Sequence, residues 1–458
     1  MKLNNDCTIA AIATGQAAGG IGVVRISGPE AHAVADRVFK AADGVPLTRS
    51  AGYQAHFGHV SCDGWQDEAV ALVFRAPHSY TGEDVVELSC HGGLYNTRMT
   101  LRACLEAGAE NAERGEFTRR AYENGKLSLT QAEAVMAVIA AQGRQAEAAA
   151  QRAQEGRLSA VIGERIEALQ GIAARIAAWC DFPDEDDVPE VSVDGIIAAL
   201  EQERDNLETL VKSGDVYALS NGIDTVICGR PNVGKSTLMN LLSGCERSIV
   251  TDIPGTTRDV VEQQVTLGDC ILRLSDTAGL HDTDDIIEAI GVERTQKRIE
   301  NAALVIAVFD GSEPLCEDDR RLIDLLEKRS CPCIAVVNKN DLEQKLDTAQ
   351  LERCFGSCIY LSAAQGNGLA ELEGAVMQVT ELEKLDAASA VLVTERQLQC
   401  ARRAYDCIKS AAEDARFTTL DAVNILVFEG IDHLMELTGG SVTESVIDEI
   451  FSKFCIGK

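Results

Sequence analysis

The chain has 458 residues, 46% of them hydrophobic and only 4% aromatic, with 72 acidic against 42 basic side chains and a net charge of −30. That length exceeds one ordinary core and predicts two to four domains, in which aliphatic packing and alanine-rich helices carry most of the burial. So acidic a chain lacks the clustered Lys and Arg that broad, nonspecific nucleic-acid binding needs, so any RNA contact is expected to be local or borrowed from a partner.

Residues 1–118 read as a mixed α/β unit, with strands expected over 8–14, 21–27, 69–74 and 84–89 and helices over 29–39 and about 96–107. From about 117 to 179 the chain turns Ala/Glu/Gln/Arg-rich and proline-poor with helical periodicity, which predicts long amphipathic helices closed by Asp181-Phe182-Pro183 and an acidic cluster. A helix over 193–212 then leads through Ser213-Gly214 into a nucleotide domain at 216–376. Helical character returns to the C-terminus, so 119–215 and 377–458 are expected to form two halves of one bundle, with the nucleotide domain inserted between them. Two separate small helical domains would each have a thinner core.

Gly229-Arg230-Pro231-Asn232-Val233-Gly234-Lys235-Ser236-Thr237 stands between an apolar strand at 223–228 and the start of a helix at 238–242, the context of a phosphate-binding loop. Its glycines let backbone N–H groups turn toward a polyphosphate, Lys235 neutralises the outer phosphates, and the Ser236 hydroxyl can hold Mg²⁺. Downstream, Thr251-Asp252-Ile253-Pro254-Gly255-Thr256-Thr257-Arg258 is a hydroxyl-rich loop in which Thr257 can complete the Mg²⁺ shell. A strand at 271–275 delivers Asp276-Thr277-Ala278-Gly279, where Asp276 can reach Mg²⁺ through water and Gly279 can meet a γ-phosphate. Apolar runs at 302–310 and 333–337 read as buried parallel strands, the second ending in Asn338-Lys339-Asn340-Asp341. The Asp341 carboxylate can accept two hydrogen bonds that guanine offers and adenine does not, which selects GTP over ATP. A last strand, 358–361, presents Ser362-Ala363-Ala364, where a backbone N–H can contact the guanine O6. In this order the motifs predict a doubly wound sheet with its ligand at the carboxyl ends of the strands.

The 16 cysteines show no zinc-type pairing, and Cys331-Pro332-Cys333 reads as packing, so reduced thiols are expected. No compact apolar leader and no bilayer-length run is present, which predicts a soluble cytoplasmic protein.

With these residues assembled, the chain resembles the tRNA modification GTPase family MnmE, also called TrmE. The signatures lie outside the nucleotide domain: Gly19-Gly20-Ile21-Gly22-Val23-Val24-Arg25-Ile26-Ser27-Gly28, Tyr80-Thr81-Gly82-Glu83-Asp84-Val85-Val86-Glu87-Leu88, His91-Gly92-Gly93, Gly115-Glu116-Phe117-Thr118, and Phe454-Cys455-Ile456-Gly457-Lys458. The resemblance implies a Ras-like P-loop GTPase and an N-terminal domain that dimerises and binds a tetrahydrofolate of the 5-formyl or 5,10-methylene type. It further implies an FAD-protein partner of the MnmG kind and an aminomethyl-type addition at C5 of a tRNA wobble uridine. It places K⁺ on Asn232, Thr251, Ile253 and Thr256, which would stabilise developing charge where other GTPases use an arginine finger. Arg258, in that same loop, is either such a finger or a structural residue, and its place in the K⁺ loop favours the structural reading. Glu288 aligns with the carboxylate that positions the attacking water, although alone among neighbouring acids it reads as a solvated helix charge.

For folate the resemblance points to Arg25, Glu87, Lys126 and Lys458: a carboxylate for the pteridine amino group and cations for the glutamyl tail. Cys455 is either a thiol that assists the chemistry or a small apolar residue. Ala18 replaces an arginine common in the family, and Ala364 replaces a longer residue where the backbone makes the contact. A ribosome-assembly GTPase is the alternative reading, but it would carry a basic RNA-binding module that neither flank supplies.

Overall fold

The computed structural model describes residues 7–15, 17–141, 143–181, 192–220, 222–244, 263–268, 270–274, 299, 302–328, 331–380 and 390–457. The chain forms two compact units of interleaved segments: Met1–Met136, Gln154–Val191 and Phe417–Lys458 in the first, Ala137–Ala153 and Ser192–Arg416 in the second.

The first unit begins with β1 (Ile9–Ile12), β2 (Ile21–Ser27), α1 (Ala31–Val38), β3 (Phe39–Ala41), β4 (Gln54–Cys62), β5 (Trp65–Phe74), β6 (Val85–His91), α2 (Leu94–Glu106) and β7 (Glu110–Asn111). These strands make one sheet in the order β3-β4-β5-β6-β2-β1-β7, antiparallel except for the short β1–β7 pair. Strand alternation sends Val24 and Ile26 of β2 into a core closed by Val34 and Val38 of α1 and Ala103 and Cys104 of α2. Arg25 therefore stands on the other face, opposite Glu87 in the β2–β6 register. The strand β4 was not expected, because its inward positions are His56, Gly58 and Val60 and only one of them is aliphatic.

The helices α3 (Glu116–Glu123), α4 (Leu129–Ala140), α5 (Arg144–Gln154), α6 (Arg157–Asp181) and α7 (Val193–Ser220) follow. Then come β8 (Ile223–Cys228), α8 (Lys235–Gly244), β9 (Gln263–Leu267), β10 (Cys270–Leu274), β11 (Leu304–Asp310), α9 (Glu317–Glu327), β12 (Cys333–Asn338), α10 (Ala349–Phe355), β13 (Cys358–Tyr360) and α11 (Leu369–Val379). The chain closes with α12 (Glu395–Asp414), α13 (Leu420–Thr438) and α14 (Glu444–Ser452). Helices from before the nucleotide-binding sheet pack on helices from after it: α6 along α13 in the first unit and α7 along α12 in the second. Where Ser213-Gly214 predicted an end to α7, the helix continues to Ser220. A Cβ at Gly214 would lie 2.9 Å from Leu398 of α12 and 3.1 Å from Leu392, so this glycine permits close packing rather than a turn.

In the second unit the sheet order is β13-β12-β11-β8-β10-β9, parallel apart from the β9–β10 hairpin. Leu238 and Leu242 of α8 with Leu372 and Val376 of α11 cover one face. Ile323 and Leu326 of α9 with Leu351 of α10 cover the other. Burial on both sides explains why every residue of β11 is buried and why these strands read as unbroken apolar runs.

Candidate active site

The connection from β8 to α8 is shaped by three left-handed residues, Gly229 (φ 153°), Asn232 (φ 63°) and Gly234 (φ 97°). Both glycines are also required by space. A Cβ at Gly229 would sit 2.4 Å from the Val308 carbonyl oxygen, and one at Gly234 would sit 2.2 Å from Nδ2 of Asn338. Inside the loop the Lys235 ammonium donates to the carbonyls of Gly229 (2.8 Å) and Arg230 (2.7 Å). Burial lowers its pKa from the ordinary lysine value. Lys235 opens α8, with Ser236 and Thr237 exposed in its first turn, where amide groups have no partner within the helix and the dipole is positive. The backbone cradle that a Cβ would fill, the half-buried ammonium and the exposed hydroxyl together fit a phosphate chain carrying Mg²⁺.

At the end of β12, Asn338 is buried and bridges two loops. Its Nδ2 donates to the Val233 carbonyl (2.8 Å), and its Oδ1 accepts from the Ala363 N–H (3.0 Å). Lys339 (φ 63°) places its ammonium on Oδ2 of Asp310, whose Oδ1 accepts from Ser312 N (2.9 Å) and Oγ (2.6 Å). Burial alone would raise the Asp310 pKa, but the Lys339 and Ser312 hydrogen bonds outweigh it and hold the carboxyl below its usual range. Asp341 is exposed, and its Oδ1 accepts from Ser362 Oγ (2.6 Å). The structure thus brings together Asn232, Val233, Gly234, Lys235, Asn338, Lys339, Asp341, Ser362 and Ala363 on loops at the carboxyl ends of β8, β12 and β13, with Ala364 beside them. Asp310 and Ser312 were not singled out by sequence. The only signal was Asp310 closing an apolar run before a glycine. Residues 251–258, 276–279 and Glu288 lie outside the described residues.

In the first unit, Nε and Nη2 of Arg25 both meet Oε1 of Glu87 at 2.8 Å, and Nη1 donates to the Gly457 carbonyl at 3.3 Å. The guanidinium carbon lies 5.5 Å from the ring centres of both Tyr80 and Phe117. Tyr80 sits in a segment anchored from below: the fully buried Arg120 pairs with Glu116 (2.8 Å) and Glu83 (3.2 Å), and Glu83 accepts from Ser27 Oγ (2.6 Å). Lys126 donates to the Pro77 carbonyl (3.1 Å) at the start of that segment and is not among the Arg25 contacts. Exposed Cys455 lends its carbonyl to the Gly115 N–H at 3.5 Å, and Ile456 bridges to Arg114. Lys458 lies outside the described residues. Tyr80, Phe117 and Gly457 were quoted in the sequence motifs without a role; only the fold shows that all three meet Arg25.

A parallel sheet with a lysine-bearing phosphate loop after its first strand, and an Asn-Lys-x-Asp loop tied to it through Asn338, defines a guanine-nucleotide-binding P-loop protein. A family model described as "GTP-binding protein TrmE N-terminus" matches residues 8–126, and one described as "MnmE helical domain" matches residues 129–455. The tRNA modification GTPase MnmE of Bacillus subtilis (strain 168) is 38% identical over 461 residues, covering 98% of this chain and 100% of that relative. Its counterpart from Symbiobacterium thermophilum is 42% identical over 461 residues, covering 98% and 99%. The chain belongs to the MnmE family of tRNA modification GTPases, which implies GTP and Mg²⁺ as its ligands. Among the described residues, no helix is long and apolar enough to cross a membrane.

Proposed function

We propose that this chain is a K⁺-stimulated GTPase that works as a homodimer with an FAD-dependent, MnmG-like protein. Together they would add a carboxymethylaminomethyl- or aminomethyl-type group to C5 of the wobble uridine of certain tRNAs, using a tetrahydrofolate one-carbon unit. The observation that carries the reading beyond nucleotide hydrolysis is the meeting of the Gly457 carbonyl, next to the chain's last residue, with the Arg25–Glu87 pair. Two of the three guanidinium nitrogens of Arg25 use Oε1 of Glu87, so Oε2 would be the oxygen offered to a pteridine amino group, while Arg25, Lys126 and Lys458 would supply cations for an anionic tail.

In the nucleotide site, Lys235 would turn its ammonium from the loop carbonyls to the outer phosphates, and Asp341 would take the guanine edge, with Ala364 N–H toward O6. Ser236 and Thr257 would hold Mg²⁺, and Asn232, Thr251, Ile253 and Thr256 would hold K⁺. The bound cations supply neutralisation of phosphate charge. Glu288 would position the attacking water. Two measurements test the reading. Mass spectrometry of tRNA from a deletion strain should show loss of the C5 substituent at the wobble uridine, and unchanged uridines would remove the modification role. GTP turnover should be markedly faster in K⁺ than in Na⁺, and equal rates would remove the K⁺ site.

A further inference from the structure

The phosphate loop is held at both ends. Its Val233 end is tied by Asn338. At its Gly229 end the side chain of Arg230 reaches the segment that joins β11 to α9 and the first turn of α9 itself. There Nη2 donates to Oε2 of Glu313, and Nε lies 3.4 Å from Oδ2 of Asp319. Asp319 is buried, and the same Oδ2 accepts from the Cys316 N–H (3.1 Å) at the start of α9, so it is a fixed anchor. The arginine is also fixed from its own side, because Pro231 restricts the preceding backbone to extended conformations. The Arg230 carbonyl is one of the two oxygens that receive the Lys235 ammonium. A guanidinium anchored on α9 is thereby linked, through its own backbone, to the position of the phosphate-binding lysine.

Two of the three left-handed residues in this loop are glycines, which reach such backbone freely but reach many other conformations as well, so the surrounding contacts must select this one form. We propose that Arg230 is a positioning residue for GTP binding: through Glu313 and Asp319 it holds the Gly229–Lys235 cradle in its phosphate-accepting form before nucleotide arrives. It acts on the population of competent loops and not on bound phosphate. The apparent affinity of a site scales with the fraction of molecules in the competent form, so losing the clasp slows capture and leaves release unchanged. Nε of Arg230 and Oδ1 of Asp319 have no hydrogen-bond partner among the described residues. This half of the clasp is therefore held by charge, which a lysine would retain.

The test is stopped-flow binding of a fluorescent GDP analogue to the full-length chain, together with steady-state GTP turnover. Arg230→Ala should lower the association rate about tenfold and keep dissociation within about twofold. KM for GTP should rise by a similar factor with kcat little changed, and Arg230→Lys should recover most of the association rate. An unchanged association rate overturns the proposal. Faster dissociation at unchanged association, or a fall in kcat at unchanged KM, also overturns it, because either places the side chain on bound nucleotide. If circular dichroism shows that Arg230→Ala is misfolded, the double variant Glu313→Gln, Asp319→Asn removes the anchors instead. It should slow association similarly, and normal association in that variant overturns the clasp.

Discussion

Replacing Asn338 with alanine tests the site's central joint. The side chain is buried and satisfies two buried backbone groups, the Val233 carbonyl at 2.8 Å and the Ala363 N–H at 3.0 Å. Alanine leaves both groups in place without partners, at about 1–3 kcal/mol each, or about 2–6 kcal/mol for the pair. Where the free variant relaxes by letting the phosphate and base loops part, nucleotide binding must bring them back together, and even the lower figure then corresponds to about a thirtyfold loss of affinity. Titration of the full-length variant with fluorescent GDP reads that loss, and amide hydrogen exchange reads its cause: the Ala363 N–H should lose protection. Asn338→Asp separates the two bonds, because it keeps an acceptor for Ala363 but sets a carboxylate against the Val233 carbonyl. Its affinity should fall similarly while Ala363 stays protected. GDP affinity within about threefold of the parent in Asn338→Ala, with Ala363 still protected, would refute the reasoning.

Asp341→Asn removes the carboxylate that faces guanine and should lower GTP affinity by about two orders of magnitude while favouring xanthine nucleotides, whose C2 carbonyl accepts where guanine donates; competition binding checks this. Glu87→Gln should weaken formyl-tetrahydrofolate binding at least about tenfold with GTP turnover intact, and equilibrium dialysis showing undiminished affinity would mean the folate site lies elsewhere. Gly457→Ala should have a similar effect by another route, since a Cβ at this left-handed residue (φ 95°) would lie 2.3 Å from the Ile12 carbonyl oxygen. The depressed Asp310 carboxyl stabilises the fold above the ordinary aspartate pKa and loses that contribution as pH falls through its lowered native value. Thermal melts should therefore show Asp310→Asn less stable than the parent at pH 7, with the difference closing in strong acid.

The nucleotide site was legible because its residues are local in sequence: a strand, nine residues of loop and helix start, and a short tetrad each announce their own geometry. What joins those pieces was not. Arg230 meets Glu313 across 83 residues and Arg25 meets Glu87 across 62, separations that no periodicity reports. Strand β4 hid because His56 and Gly58 occupy core positions that pattern rules reserve for aliphatic residues, and β9 because Gln263 and Gln264 open it with polar side chains. Gly214 misled for the opposite reason. A glycine near a helix end signals a stop when nothing packs on it, whereas here Leu398 does.

The junction between α7 and β8 is short. Two residues separate a 28-residue helix from the strand that delivers the phosphate loop. Two residues reach only about 7 Å, and a helix of that length is a rod of about 42 Å. One of the two, Gly222, is gripped by Arg273, which donates to its carbonyl at 2.7 Å while also lying 3.1 Å from Asp224. Gly222 is thus pinned to β10, the strand beside β8, at the point where the chain enters the nucleotide-binding sheet. Because α7 lies along α12, the helix that enters this sheet packs on one that begins only after 34 further residues beyond the sheet's last strand, so the chain's way in and its way out are held side by side.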